Sequence, residues 1–133
     1  MPKIHLTLSG NENLALAQKI AVAIGELTKG VLNKKPQVTV VTVSFIPAHL
    51  WFIDSVSLAE LSSGSFYLEI KISDSTNLKD DKSRFIREVH KAMVEYIPDL
   101  HPISYTAIHE LKTDAYGYEG LTIEYKYITN QKK

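Results

Sequence analysis

The sequence predicts an α/β fold in which two βαβ repeats form one four-stranded mixed sheet with two helices on one face. Strand-like and helix-like segments follow the order strand, helix, strand, twice over. In each half a helix of crossover length separates two strands, which makes the pair parallel. The halves also superpose at a period of about 65 residues, with Ser9 falling on Ser73, Asn13 on Asn77, Leu14 on Leu78 and Val40 on Tyr105.

The first strand, Met1 to Ser9, sets the frame. Pro2, Ile4, Leu6 and Leu8 fall on one face and Lys3, His5 and Thr7 on the other. A proline at a strand head is tolerated because its missing N–H disturbs little there. Pro2 also admits a chemical reading. If an aminopeptidase removes Met1, Pro2 becomes the N-terminus and its nitrogen a secondary amine. An α-amino group titrates near pH ~8, and burial lowers that value, so a buried N-terminal proline can act as a general base.

After a capping turn at Ser9–Asn13, the spacing of Ala17, Ile20, Ala21, Ile24, Leu27 and Val31 predicts a helix over residues 13–32, ended before Pro36. Gln37 to Ile46 reads as a buried β-branched strand. Pro47 to Ser63 has no clear period. Trp51, Phe52 and Ile53 either plug the end of the core or wall a pocket.

Ser65 to Ser73 is the third strand, and Asp74–Asn77 the second capping turn. Asp80 and Asp81 suit the first turn of the next helix, whose stripe is Phe85, Val89, Ala92, Met93 and Tyr96. Ile103 to Leu111 is the fourth strand. Gly117 and Gly120 flank aromatics in an exposed turn, Leu121 to Ile128 alternates like a short fifth strand, and Asn130 to Lys133 is expected to fray. The sheet's second face, including parts of the 38–46 and 66–72 strands, is expected to be apolar and to need a partner copy.

Composition narrows the function. The chain has 133 residues, which fits one domain, and 44% are apolar. Lysine plus arginine, 15, equals aspartate plus glutamate, 15, so nothing points to nucleic acid or a membrane. The absence of cysteine removes disulfides and thiolate chemistry. No apolar run spans a membrane and no signal peptide precedes the first strand, so a cytoplasmic location is the default expectation. His5, His49, His90, His101 and His109 show no metal-ligand spacing, and no phosphate loop or nucleophile elbow is present, so no metal or cofactor is expected. Lys34 and Lys35 suit a helix C-terminus, and they also stand where an anionic substrate would meet Pro2, because parallel strands bring both to one end of the sheet. Arg84 and Arg87 lie on the outer side of the second helix, leaving Lys34 or Lys35 as the one cation placed near the base.

The Pro2-headed strand and the double βαβ pattern resemble the tautomerase superfamily, most of all macrophage migration inhibitory factor and its bacterial relatives. Lys34-Lys35-Pro36-Gln37 before a valine-rich strand is similar to that family's Lys-Pro-Pro-Gln stretch. Pro47 and Leu50 match the following loop, and Gly117-Tyr118 its C-terminal Gly-Trp. The resemblance implies one tautomerase-like domain over 1–133, with repeats at about 2–46 and 65–111 and a tail at 112–133. It implies keto–enol tautomerisation of a small carboxylate-bearing carbonyl compound, with Pro2 as base and Lys34 and Tyr105 as the other catalytic residues. Lys35, Trp51, Phe52, Ile72, Tyr116 and Tyr118 would contact substrate, Ile72 through its backbone. It also implies a homotrimer whose pocket takes Pro2 from one subunit and Tyr105 from the next.

Some positions depart from the pattern. Ala107 replaces an asparagine, Asp54-Ser55 replaces a Gly-Gly, and the arginines that other members carry near Asn11 or in the second strand are missing. These departures weaken dicarboxylate, decarboxylase and dehalogenase activities. They leave two alternatives, a non-catalytic binding protein on the same fold or a proline-dependent decarboxylase or hydratase. With one lysine and aromatic walls, the expected substrate is a monocarboxylate enol with an aromatic or apolar tail.

Overall fold

The computed structural model describes residues 2–131. The expected N-terminal processing of Met1 and most of the expected C-terminal fraying fall at or beyond its limits. The chain begins with β1 (Lys3–Ser9), in which Ile4, Leu6 and Leu8 are buried and Pro2 before them is buried too. Helix α1 (Leu14–Leu32) starts where the Asn13 side chain accepts the Leu16 N–H, and stops at Asn33 in the left-handed region, φ 56°. Its stripe of Ile20, Ile24, Thr28 and Leu32 packs on the sheet, and the buried Thr28 hydroxyl is satisfied by donating to the Ile24 carbonyl at 2.7 Å.

A 3-10 turn at Pro36–Val38 leads into β2 (Val40–Ile46). β2 is an edge strand rather than a buried one. Val41, Val43 and Phe45 face the helices, whereas Val40, Thr42 and Ile46 are exposed. The segment 47–63 is more regular than its sequence suggests. A 3-10 turn (Ala48–Leu50) precedes a hairpin of β3 (Phe52–Ile53) and β4 (Val56–Ser57), turned by Asp54 and Ser55 at φ 50° and 64°. The short α2 (Leu58–Leu61) follows, capped by the Ser57 hydroxyl, and its Leu58 is buried.

The second repeat comprises β5 (Phe66–Ser73), α3 (Lys79–Tyr96) and β6 (Tyr105–Leu111). Phe85, Val89 and Met93 are its buried stripe. Asn77 does not cap α3 as Asn13 caps α1. Its side chain donates to the Leu32 carbonyl at 3.0 Å, tying the end of α1 to the start of α3, and Asp81 accepts the Leu78 N–H instead.

Among the described residues the main sheet has four strands, in the order β2-β1-β5-β6. β1 and β2 are parallel, β5 and β6 are parallel, and β1 meets β5 antiparallel, with Lys3 opposite Lys71 and Leu8 opposite Phe66. The core lies between this sheet and α1 and α3. The open face departs from expectation, because it is mainly polar. Every apolar residue of β5 except Tyr67 points at the helices, so Lys3, His5, Thr7, Thr42, Ser44, Glu69 and Lys71 are left outward. The His5 ring bonds Thr42 Oγ1 at 2.7 Å and Ser44 Oγ at 3.1 Å there. Exposed apolar surface lies instead around Leu50, Phe52, Ile103 and Tyr105 at one end of the sheet and on the tail around Leu121, Tyr125, Tyr127 and Ile128.

The tail also corrects the expectation of a fifth strand. β7 (Gly117–Tyr118) and β8 (Leu121–Thr122) form a hairpin, and residues after it form α4 (Ile123–Gln131). The helix wins because its first N–H groups find acceptors. Thr122 Oγ1 takes the Tyr125 N–H at 3.0 Å, the Tyr116 carbonyl takes that of Ile123, and the Thr113 carbonyl that of Glu124. Gly117 is needed because a Cβ there would strike the Leu121 backbone. Thr122→Ala should loosen α4 by about 1 kcal/mol. Amide exchange should quicken in α4 alone and stay unchanged in β1 and β5, and uniform loss of protection would contradict this local role.

Candidate active site

Two polar turns and the tail meet at the sheet end where β1 begins. Because β1 runs antiparallel to β5, the start of β1 lies beside the ends of β5 and β6. Parallel pairing brings the turn before β2 to the same end, where the Val40 N–H donates to the Pro2 carbonyl at 3.1 Å. A cavity of about 710 Å³ opens here, walled in part by Lys34, Lys35, Ser73, Thr76, Tyr118 and Lys126. Pro2 is buried at this end but does not line the cavity.

Lys34 is a half-buried cation of the site, as is Lys126. Lys34 sits just after the Asn33 cap, and the Asn77–Leu32 bond brings its loop against the β5–α3 turn. Its Nζ donates to Thr76 Oγ1 at 2.8 Å. Burial pushes its ammonium below the ordinary lysine value, and the nearby Glu110 carboxylate opposes the shift. Glu110 is itself paired with Lys82 at 2.7 Å.

Tyr116 Oη donates to the Lys71 carbonyl at 3.3 Å, and the Lys3 backbone N–H also reaches it, so the phenol rests on the first β1–β5 pair. Burial pushes this phenol up, which keeps it protonated, while the Lys3 N–H partly offsets the shift. Tyr118 is held from the other side. Lys126 Nζ lies 4.0 Å from its ring centroid and bonds Glu119 at 2.9 Å.

The structure therefore gathers Lys34, Lys35, Tyr116 and Tyr118 at the Pro2 end of the sheet. It also adds Lys126, a cation hidden in the sequence because residues 121–128 alternate like a strand. The Ile72 side chain is fully buried among core residues, so only its backbone faces this end. Tyr105, Trp51 and Phe52 lie elsewhere. Tyr105 pairs with Tyr67, which pairs with Thr7, five positions from Pro2 and so roughly 17 Å along the strand. There the Tyr67 and Tyr105 rings stand 6.1 Å apart beside Trp51 and Phe52, around a cavity of about 350 Å³. Tyr105 is 60% exposed.

No protein-family model matches the chain, and no curated protein matches it in sequence. Solved structures do. A native fused 4-OT superposes with a TM-score of 0.80 at 13% identity, over 92% of this chain and 97% of that one. The chain has the tautomerase fold. A macrophage migration inhibitory factor-like protein from Entamoeba histolytica gives 0.74 at 18% identity, over 91% and 97%. Pt0534, in a form inactivated by 2-oxo-3-pentynoate, gives 0.81 at 6% identity, over 93% and 98%. Other fused 4-OT structures of this fold are described as symmetric and asymmetric trimers. At these identities the likeness concerns the tautomerase fold alone.

The lowered Lys34 value makes a pH prediction. A lysine loses its charge as pH rises through its pKa, so an anion held by Lys34 should be released at lower pH than an exposed lysine would allow. Calorimetric titration with pyruvate should show affinity falling with rising pH in the wild type and persisting to higher pH in Lys34→Arg. Identical profiles in the two proteins would remove Lys34 from the anion site.

Proposed function

We propose that this protein is a tautomerase that interconverts the keto and enol forms of a small carboxylate-bearing carbonyl compound. The observation that carries the reading is a buried proline heading a central strand, at the sheet end where the half-buried Lys34 and two tyrosines gather. With Met1 removed, the Pro2 nitrogen takes a proton from the carbon beside the carbonyl and returns it elsewhere in the conjugated system. Lys34 holds the carboxylate. Tyr105 of a second copy donates to the developing enolate oxygen, a role for which its exposure at the far end of its own sheet suits it. A trimer in which that aromatic end meets the Pro2 end of a neighbour would complete the pocket, and the trimeric fused 4-OT structures of the same fold support a trimer.

Lys126 is already engaged by Glu119 and Tyr118, so a single carboxylate on Lys34, with an aromatic or apolar tail along Tyr118, remains the preferred substrate. A phenylpyruvate-type acid should give a higher kcat/KM than a muconate-type diacid. Pro2→Ala should lower kcat/KM by roughly 10²- to 10⁴-fold, the usual share of a positioned general base. The wild-type rate should rise with pH as the proline loses its proton. Unchanged rates in Pro2→Ala, in protein whose mass shows Met1 to be gone, would end the reading.

A second reading keeps the fold and the cavity without turnover. It is favoured by one observation, that Pro2 does not line the cavity. A binding protein of this kind would take up the same carboxylates equally well with or without Pro2 and would turn over none of them.

A further inference from the structure

Ser73 ends β5 and is 2% exposed. Among the described residues its Oγ is the one buried side-chain oxygen or nitrogen with no hydrogen-bond partner. The other buried hydroxyls are satisfied, Thr28 by Ile24, Ser57 by Glu60 and Ser65 by Ile103 and Ser104. An unsatisfied buried hydroxyl is costly and calls for an explanation. Ser73 also belongs to the wall of the Lys34 cavity.

The strand register indicates what lies beside Ser73. Lys3 lies opposite Lys71, so continuing the antiparallel pairing sets Pro2 level with Ile72. The Pro2 nitrogen, on the N-terminal side of its Cα, then lies toward Ser73. A prolyl amide nitrogen carries no hydrogen, and its lone pair is delocalised into the carbonyl, so it offers a hydroxyl nothing. Hydrolysis of the Met1–Pro2 peptide bond, with water as co-reactant, releases methionine and leaves a secondary amine. That amine has one N–H and a lone pair when neutral, and two N–H groups when protonated.

We propose that Ser73 is a positioning residue for the Pro2 amine: its Oγ accepts the amine N–H once Met1 is gone and turns the lone pair toward the Lys34 cavity. The proposal rests on the reading of Pro2 as a free N-terminal base. The hydroxyl is orphaned only while its partner is an amide. The acceptor also favours the protonated amine, because a hydrogen bond to a charged donor is the stronger one.

The charged groups around this end of the sheet come from every element that reaches it. They include Lys3 on β1, Lys71 on β5 and Asp74 just after it, Glu110 on β6, Lys34 and Lys35 after α1, and Glu124 and Lys126 on α4, beside the Tyr116 and Tyr118 phenols. All are retained in the variants below, so a difference between those variants reports Ser73.

The test uses full-length protein released from an N-terminal fusion so that it begins at Pro2, with 15N-proline label, and follows the Pro2 amine by NMR against pH. In Ser73→Ala the amine pKa should fall by roughly one unit, the size of a lost hydrogen bond to the charged form. Ser73→Thr, which keeps the hydroxyl, should restore it. Because Ser73→Ala deletes an unpartnered group, its melting temperature in the Met1-retaining form should be no lower than wild type. A Pro2 pKa that is the same in wild type and Ser73→Ala would overturn the proposal. The readout does not depend on turnover. A Ser73-dependent titration in a protein that converts no keto acid would count against the general-base reading and leave the Ser73 contact standing.

Discussion

The antiparallel pairing of β1 with β5 is the contact on which the rest of this structure depends. It is the only strand pairing between the two repeats among the described residues, because the other two pairings of the main sheet lie within a repeat. Its register is held by the core. Ile4 opposite Ile70 and Leu6 opposite Leu68 are completely buried, and a slip of one residue would turn a whole row of apolar side chains outward. The same register sends the head of β1 to the end of β5, which is why Pro2, Ser73 and the Lys34 loop share one end of the sheet.

Its second consequence is a division of chemistry between the ends. The Pro2 end carries cations, hydroxyls and the tyrosines of the tail around a half-buried lysine. The Tyr105 end carries exposed aromatics around a smaller cavity. The internal repeat makes the asymmetry plain. With Ser9 falling on Ser73, Pro2 falls on Phe66, so the second repeat has lost the imino acid from the corresponding place. The proposed reaction therefore has one N-terminal base per chain, and its complete pocket draws its phenol from a second copy.

Much of this was legible in the sequence, for physical reasons that differ by element. The alternation of Ile4, Leu6 and Leu8 and the helical stripes around Ile24 and Val89 are long enough to fix type and face. The hairpin at Phe52–Ser57 was not legible, since two-residue strands carry no period and its turn uses Asp54 and Ser55 instead of glycine. In α4, Ile123, Tyr125 and Tyr127 alternate like a strand, and only the capping oxygen of Thr122 betrays a helix. Missing α4 meant missing Lys126. The polar character of the open face was not legible either, because the β-branched run at 37–46 reads as a buried strand whereas β2 is an edge strand. At the site, Pro2, Lys34 and Tyr118 announced themselves by residue type and position. Ser73 did not, because a serine at the end of a strand is ordinary until its hydroxyl is found without a partner.

With Met1 removed, the proposed Pro2 base should be a nucleophilic, largely neutral amine at neutral pH, at the sheet end that holds the Lys34 cavity. The most direct measurement is peptide mapping by mass spectrometry after brief exposure to an alkynyl 2-oxo acid, an electrophile that carries both the carbonyl and the carboxylate of the proposed substrate. Neutral amines add to the alkyne, whereas exposed lysines are protonated at pH 7 and react slowly. A neutral Pro2 amine should give a single adduct on the peptide that begins at Pro2, formed much more slowly in Lys34→Ala. Adducts confined to lysine side chains, in protein that has lost Met1, would contradict it.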